Sequence, residues 1–159
     1  MNACNKQFLY ICIKIKAIIL LNHLPGTFKP KEALKSFLQQ LTELEGHVVD
    51  RLEYNFISRE RMLLLNRKHL NHDYDTDIIT FDYTENIYVR AEFFVSIWAI
   101  EDSAKSFNIP FDHELLRVVI HGVLHCLGYD DKDAEQQAII KEKENYYINM
   151  FHVKQSKHV

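Results

Sequence analysis

The chain has 159 residues and a formal net charge of −3, with 47% hydrophobic and 26% charged residues. These values predict one globular domain with a single buried core, and they exclude a globally basic nucleic-acid-binding protein. A nucleic acid would therefore have to be bound by a local positive patch. The three cysteines show no close pairing pattern, which argues against a disulfide framework and predicts a cytoplasmic protein.

The first apolar segment, Phe8 to Leu21, contains Lys14 and Lys16. It is shorter than the roughly 20 apolar residues of a membrane span. Lys6 is the only early cation and no small-residue cleavage site follows, which argues against the alternative of a secretory signal, so we expect no membrane association. Its lysines alternate with isoleucines, which predicts a strand with one solvent-facing side. We expect residues 1–7 to form a frayed tail.

The rest of the chain alternates between helical and extended patterns. In chain order, the patterns predict a helix from Pro30 to about Leu44, a strand over Val49–Ile57, a helix from Ser58 to about Leu70, a short buried strand over Ile78–Tyr83, a strand ending near Ser96, and helices over about Ile97 to Phe107, His113 to Leu127 and Ala134 to Phe151. Ser58 and Asp112 are expected to cap the helices that follow them, and Gly46 and Gly128 to end the helices before them. This order predicts an α/β (α+β) domain in which a mixed sheet packs with helices.

Two histidines near the end of the long predicted helix form the clearest chemical pattern. His121 and His125 are four residues apart, so their side chains leave the same face of the helix about one turn apart. Two neutral imidazoles in this arrangement can chelate one metal ion. A lone pair of this kind is more often an ordinary polar stripe. Here the helix is otherwise strongly apolar, and unpaired imidazoles would be costly in such a place, which favours a metal site.

A glycine and two carboxylates follow the second histidine. Gly128 ends the helix and lets the chain curl back, which brings Asp130 and Asp131 within reach of the same ion. Two histidines and one carboxylate form a known ligand set of catalytic zinc, with a position left for water. Zinc lowers the pKa of that water toward ~7 and so supplies a nucleophile at neutral pH. Gly122 stands where the H-E-x-x-H proteases have their general base, so an ordinary metalloprotease would lack its base here.

The stretch HGVLHCLGYDD, His121 to Asp131, resembles the H-G-x-L-H-x-x-G-Y-D-H signature of the YbeY family. Upstream, the stretch LNRKHLNHDYDTDIITFDY, Leu65 to Tyr83, is similar to a second segment of that family. The resemblance covers roughly residues 48–150. It implies one YbeY-like domain over residues 1–159, with a metal site at the end of a long central helix and frayed tails over residues 1–7 and 153–159.

The YbeY family consists of metal-dependent endoribonucleases of bacterial rRNA maturation. The resemblance therefore implies a single-strand-specific, zinc-dependent endoribonuclease that acts in 16S rRNA 3′-end maturation and ribosome quality control, with one Zn²⁺ per chain. The implied partners are single-stranded RNA or rRNA, the ribosome and small-subunit factors. The alternative is a non-catalytic, metal-stabilised ribosome-assembly or RNA-binding factor, which a fourth ligand from Asp130 or His152 would support. An unorthodox metallopeptidase is a third and weaker hypothesis.

The resemblance also implies roles for single residues. His121 and His125 match the first two metal-binding histidines of the family, and Asp131 stands where the third histidine usually stands. A carboxylate also binds zinc, although its harder oxygen can change the metal preference. Asp131 is therefore the preferred third ligand and Asp130 the alternative. The sequence identifies no general base.

Two other departures from the family pattern affect contact with RNA. Leu70 occupies the position of an arginine that faces the cleft in the family, and Ala91-Glu92 replaces a frequent Gly-Asp pair. Side chains that can take over phosphate contact are those of Arg67, Lys68, His69, His72 and Arg90. Each of these residues, taken alone, is more often an ordinary solvated residue.

Five further residues have competing interpretations. Thr76 and Asp77 have either a substrate-cleft role or a hydrogen-bonding role between turn and strand. Cys126 points away from the proposed metal and is expected to be a small core residue. Tyr146 and Tyr147 are expected to pack the last helix rather than to line a cleft.

Overall fold

The structure is a computed structural model that describes residues 16–69 and 75–156. Its elements, in chain order, are β1 (Ile18–Asn22), α1 (Lys31–Leu44), β2 (Val48–Ile57), α2 (Arg59–His69), β3 (Ile78–Asp82), β4 (Tyr88–Ser96), α3 (Ile97–Phe107), α4 (Phe111–Cys126) and α5 (Ala134–Ser156). The predicted single α/β domain is confirmed. Most of the predicted N-terminal strand lies outside the described residues, as do Leu70 and His72.

The four strands form one sheet in the order β1-β2-β4-β3. β1 is parallel to β2 and β2 to β4, whereas β3 runs antiparallel to β4. Parallel neighbours need crossover connections, and α1 supplies the crossover between β1 and β2. The sheet is mixed, as its predicted element order indicates.

The central helix of the fold is α4, whose apolar side chains are almost all buried against one face of the sheet. On that face, alternate side chains of β2 and β4 are buried, among them Leu52, Tyr54, Phe93 and Val95. The Tyr54 hydroxyl donates to the carbonyl of Val119 in α4 at 2.9 Å. This packing fixes α4, and with it both histidines, relative to the sheet.

The opposite face of the sheet has a smaller apolar cluster, made by Ile57, Met62 and Ile79 beneath α2. β3 lies at the edge of the sheet, and Ile79 is its one buried residue. The predicted short buried strand is therefore buried only at this position, because an edge strand is covered from fewer sides. None of the helices among the described residues combines the length and the apolarity needed to cross a membrane.

The helix ends confirm some predictions and correct others. Gly46 and Gly128 have φ values of 78° and 94°, the left-handed conformation expected of glycines that end helices. Asp112 does not cap α4, because Pro110 already occupies the N-cap position and Asp112 lies in the first turn. The Arg61 backbone N–H lies 3.5 Å from the Ser58 hydroxyl, a long N-terminal capping contact.

The last helix is longer than its sequence pattern predicts. α5 continues to Ser156, so residues 153–156 are helical and do not belong to a frayed tail. The Lys154 ammonium donates to the side chain of Gln40 in α1, which ties this last turn to the rest of the domain. Phe151 is buried against Phe37 of α1, with ring centroids 5.2 Å apart.

Candidate metal centre

Three side chains converge at the end of α4. His121 and His125 lie on one face of the helix, and their Nε2 atoms are 2.9 Å apart. Asp131, in the loop that follows Gly128, places Oδ2 3.8 Å from the His121 Nε2 and 3.7 Å from the His125 Nε2. The three ligand atoms all lie within 4.8 Å of one another. The described residues thus bring together a group that can hold one metal ion.

The outer nitrogens of both rings are already engaged. His121 Nδ1 lies 2.6 Å from the Glu144 carboxylate, and His125 Nδ1 lies 2.9 Å from the carbonyl oxygen of Tyr129. A carbonyl and an ionised carboxylate only accept hydrogen bonds, so each Nδ1 is the donor. In a neutral imidazole the Nε2 atom is then an unprotonated acceptor.

Two acceptor nitrogens and a carboxylate oxygen therefore face one another. Acceptors at this separation repel unless a cation or a proton lies between them. Zinc binds imidazole nitrogen at roughly 2.0–2.1 Å, so two nitrogens on one tetrahedral ion lie roughly 3.3 Å apart. The histidine Nε2 atoms are closer than that, at 2.9 Å, and Asp131 Oδ2 lies farther from them, at 3.8 and 3.7 Å, so small side-chain shifts bring the three donors to one ion. The donor set can therefore hold a metal ion such as zinc.

The two neighbouring aspartates have different partners. Asp130 Oδ2 lies 2.5 Å from the Lys132 ammonium, and Asp130 Oδ1 accepts from the Asp131 backbone N–H at 2.9 Å. The hydrogen bond from Lys132 lowers the pKa of the Asp130 carboxyl. The Asp130 side chain is therefore engaged elsewhere, and Asp131 alone of the two joins the histidines.

The second candidate for a fourth ligand, His152, lies elsewhere in the fold. Its ring stacks on that of His113, with centroids 6.1 Å apart. His113 precedes His121 by two turns of α4, or about 12 Å along the helix. Neither His152 nor Asp130 completes a four-ligand site, which is the arrangement typical of structural zinc.

A partly buried chain of charged groups lies behind His121. Arg117, one turn earlier on α4, donates two hydrogen bonds of 2.8 Å to the Glu114 carboxylate and one of 3.3 Å to Asp77. Its Nη1 lies 3.9 Å from Glu144 Oε2. Burial would raise the pKa of the Glu114 carboxyl, but hydrogen bonds from Arg117 and Ser103 outweigh it and lower that pKa.

The loop that carries Asp131 is anchored by a second polar cluster. The Tyr129 hydroxyl donates to the Glu45 carboxylate at 2.8 Å, and Lys143 and Tyr147 of α5 donate to the same carboxylate. Burial would raise the pKa of Glu45, but these three hydrogen bonds outweigh it and lower that pKa. Because the Tyr129 carbonyl also accepts from His125, the anchor holds both the loop and this ring in place.

A model of the family described as "Endoribonuclease YbeY" matches residues 26–152 of this chain. The chain belongs to the YbeY family. The match begins well before residue 48, where the resemblance recognised from motifs starts, so it includes α1. The predicted family is confirmed, and with it the predicted class of enzyme, an endoribonuclease.

Curated relatives and a solved structure agree with the family match. An endoribonuclease YbeY of Parabacteroides distasonis is 38% identical over 115 residues, covering 72% of this chain and 81% of that protein. Its counterpart in Flavobacterium johnsoniae is 39% identical over 125 residues, covering 79% and 90%. The solution structure of TM1509 from Thermotoga maritima superposes with a TM-score of 0.65 at 30% identity, covering 89% and 93%. The observed fold is therefore a YbeY-type fold.

The residues considered for RNA contact lie outside the converging group. Arg67 and His69 are exposed in the last turn of α2, where the His69 ring packs edge-on against Phe81, with centroids 5.2 Å apart. Arg90 is exposed but paired with Asp50 at 2.5 Å. Arg90 alternates with buried residues of β4, so it lies on the face of the sheet opposite α4. His72 lies outside the described residues.

The remaining singled-out residues are mostly structural. Asp77 accepts from Arg117 through its side chain and from the Ser96 backbone N–H through its carbonyl, as the turn-to-strand interpretation requires. Cys126 is buried, and burial raises the pKa of its thiol. Tyr147 packs in the core, as expected, but the packing prediction is wrong for Tyr146, whose side chain is exposed.

Gly122 allows α4 to approach the sheet closely. A Cβ atom at this position would lie 2.6 Å from Ile78 Cδ1 and 3.0 Å from Phe93 Cδ1. The Phe93 ring is fully buried and stacked on Tyr54, so it has little freedom to move. A glutamate therefore has no room here, which gives a physical reason for the missing protease-type base.

A Gly122→Ala variant is expected to lose about 1–3 kcal/mol of folding stability, because the added methyl overpacks the contact with Phe93. The better helix propensity of alanine offsets at most about 1 kcal/mol of that loss. Chemical denaturation measures the difference. Gly26→Ala is the matched control, since a Cβ there meets nothing within 4 Å. A Gly122→Ala variant as stable as wild type would contradict the close approach.

The sequence patterns did not single out Glu114, Arg117 or Glu144. A signal was nevertheless present for Glu144, because it falls among the buried positions of α5 at helical spacing from Ile140 and Ile148. A carboxylate in such a stripe needs a buried partner, but the sequence does not show which one.

Proposed function

We propose that this protein is a single-strand-specific, zinc-dependent endoribonuclease that acts in 16S rRNA 3′-end maturation and ribosome quality control. The observation that supports the metal dependence is the convergence of His121 Nε2, His125 Nε2 and Asp131 Oδ2. The membership of the YbeY family supports RNA as the substrate. The proposal also includes a cytoplasmic location. Its proposed partners are the ribosome and small-subunit factors.

In the proposed site, His121, His125 and Asp131 hold one zinc ion. When bound, the ion supplies a Lewis acid that activates water and stabilises negative charge on the phosphoryl oxygens. The histidines keep their Nε2 atoms free for the ion because their Nδ1 protons are donated elsewhere. The Asp131 side chain is 46% exposed, so one side of the site is open to a phosphodiester.

RNA would reach the site by passing the C-terminal end of β3. The basic last turn of α2, with Arg67, Lys68 and His69, packs on β3 through Phe81. The next residue of β3, Asp82, lies beside Cys126, which directly follows His125 in α4. Within this proposal, Arg67 and His69 contact the RNA backbone, as do Arg90 and His72.

The non-catalytic alternative is less well supported. A structural zinc site usually has four protein ligands and no open position. The described residues supply three donors, and both candidates for a fourth ligand have other partners. A metallopeptidase would lack its general base, since the position of that base is Gly122.

Cleavage of matched RNA substrates tests the proposal. We expect cleavage of a single-stranded RNA, at least about 10-fold slower cleavage of the same RNA annealed to its complement, loss of cleavage on chelation, and recovery with added zinc. An RNA with the unprocessed 3′ end of 16S rRNA should be cut at a discrete position, whereas a scrambled RNA of the same length should not. Equal cleavage of single strand and duplex would contradict the strand specificity. Zinc binding without any cleavage would favour the binding factor.

A further inference from the structure

A buried carboxylate on another helix touches one of the two histidines. Glu144 of α5 is 6% exposed, and its Oε1 atom lies 2.6 Å from His121 Nδ1. Removing a carboxylate from water costs several kcal/mol unless partners compensate. Among the described residues, its ion-pair partners within 4 Å are the His121 ring and the Arg117 guanidinium.

The Arg117 guanidinium is itself held in place. Glu114 binds it through two hydrogen bonds, and Glu114 also accepts from the Ser103 hydroxyl of α3 at 2.7 Å. Arg117 Nη1 thus lies on the Oε2 side of Glu144, while Oε1 is directed to His121. The Glu144 carboxylate therefore lies between the His121 ring, to which it is hydrogen-bonded at 2.6 Å, and a guanidinium nitrogen 3.9 Å away.

We propose that Glu144 is the positioning residue of His121: its buried carboxylate keeps the proton on Nδ1 and so presents the unprotonated Nε2 to the metal. This inference rests on the metal site of the proposed function. A histidine that ligates zinc commonly donates its other N–H to a carboxylate, which fixes the tautomer and the ring orientation. His125 has a different support, the backbone carbonyl of Tyr129, so Glu144 acts on one ring only.

A purely structural role predicts different behaviour. If the contact merely joined α4 to α5, its loss would lower the stability of the metal-free fold and leave the metal affinity of the remaining protein unchanged. If Glu144 positions His121, its loss changes the tautomer of that ring and the metal affinity. Measurements of the His121 tautomer and of the metal affinity on folded protein therefore distinguish the two roles.

The test compares Glu144→Gln with Glu142→Gln, an exposed position on the same helix. Zinc dissociation constants are measured by competition with a chelating dye, and histidine tautomers by ¹⁵N chemical shifts of the metal-free protein. The amide that Glu144→Gln introduces can donate to Nδ1, so in this variant we expect His121 to shift toward the Nε2–H tautomer. The zinc dissociation constant should rise about 10- to 100-fold, with Glu142→Gln unchanged.

An unchanged dissociation constant and tautomer in folded Glu144→Gln would overturn the inference and leave the proposed function intact. Failure of wild type to bind zinc would overturn the metal site and this inference together. Should Glu144→Gln not fold, Glu144→Asp keeps the charge on a shorter side chain. A raised dissociation constant in that variant supports the positioning role, and a wild-type value overturns it.

Discussion

A His125→Ala variant is expected to lose metal binding and RNA cleavage together. The imidazole supplies one of three converging donor atoms, and the other two do not form a chelate of comparable strength. Removing a group that only supports a ligand costs roughly 10- to 100-fold in metal affinity or activity, so we expect a loss of more than about 100-fold for a ligand itself. Elemental analysis and single-stranded RNA cleavage on the same sample measure both quantities.

The neighbouring aspartates provide the comparison for this prediction. Asp131→Ala should lose most of its metal and its cleavage, because Oδ2 lies on the open side of both histidines. Asp130→Ala should retain both, since that carboxylate is bound to Lys132. Metal retained in Asp131→Ala but lost in Asp130→Ala would move the third ligand to Asp130. Full activity of His125→Ala would contradict the site altogether.

An Arg117→Met variant is expected to lose about 3 kcal/mol of folding stability, or more, because it leaves two buried carboxylates without their cation. Glu114 is 2% exposed and Glu144 is 6% exposed, so water cannot replace the guanidinium well. For a domain of this size, that loss lowers the melting temperature by about 6–12 °C. Thermal and urea denaturation of the metal-free protein measure it.

The matched control is Arg90→Met, which removes an exposed arginine paired with Asp50. An exposed ion pair contributes about 0–1 kcal/mol, so this variant should be nearly as stable as wild type. The Arg117 effect should also depend on pH. Because the pKa of folded Glu114 lies below its ordinary value of 4.5, the stabilisation is complete above pH 4.5 and is lost as the pH falls through the lower folded value. Equal stability losses in both variants would contradict a buried network.

The parts of the site that lie within one helix and its end could be predicted from the sequence. The spacing of His121 and His125 fixes their common face, and Gly128 marks the point where the chain turns back. Asp131 follows at a distance that the returning chain can span. These residues are close together in the sequence, so helical periodicity and a helix-ending glycine are enough to predict their relative positions.

The residues that support the site could not be predicted, because their partners are distant in the sequence. Glu144 meets His121 only because α5 packs against α4, and Glu45 meets Tyr129 across 84 residues. A charged residue in a buried apolar stripe indicates that it has a partner, but the sequence does not show which residue that partner is. The edge position of β3 could not be predicted for a similar reason, because the sequence pattern of one strand does not show which strands lie beside it in the sheet.

The most decisive measurement is the metal content of wild-type protein, with RNA cleavage measured on the same sample before and after chelation. We expect close to one zinc ion per chain, and cleavage of single-stranded RNA that disappears with the metal and returns when zinc is added. Wild-type protein that is folded and cuts RNA without any bound metal would contradict the zinc-dependent mechanism, because His121, His125 and Asp131 would then converge for another reason.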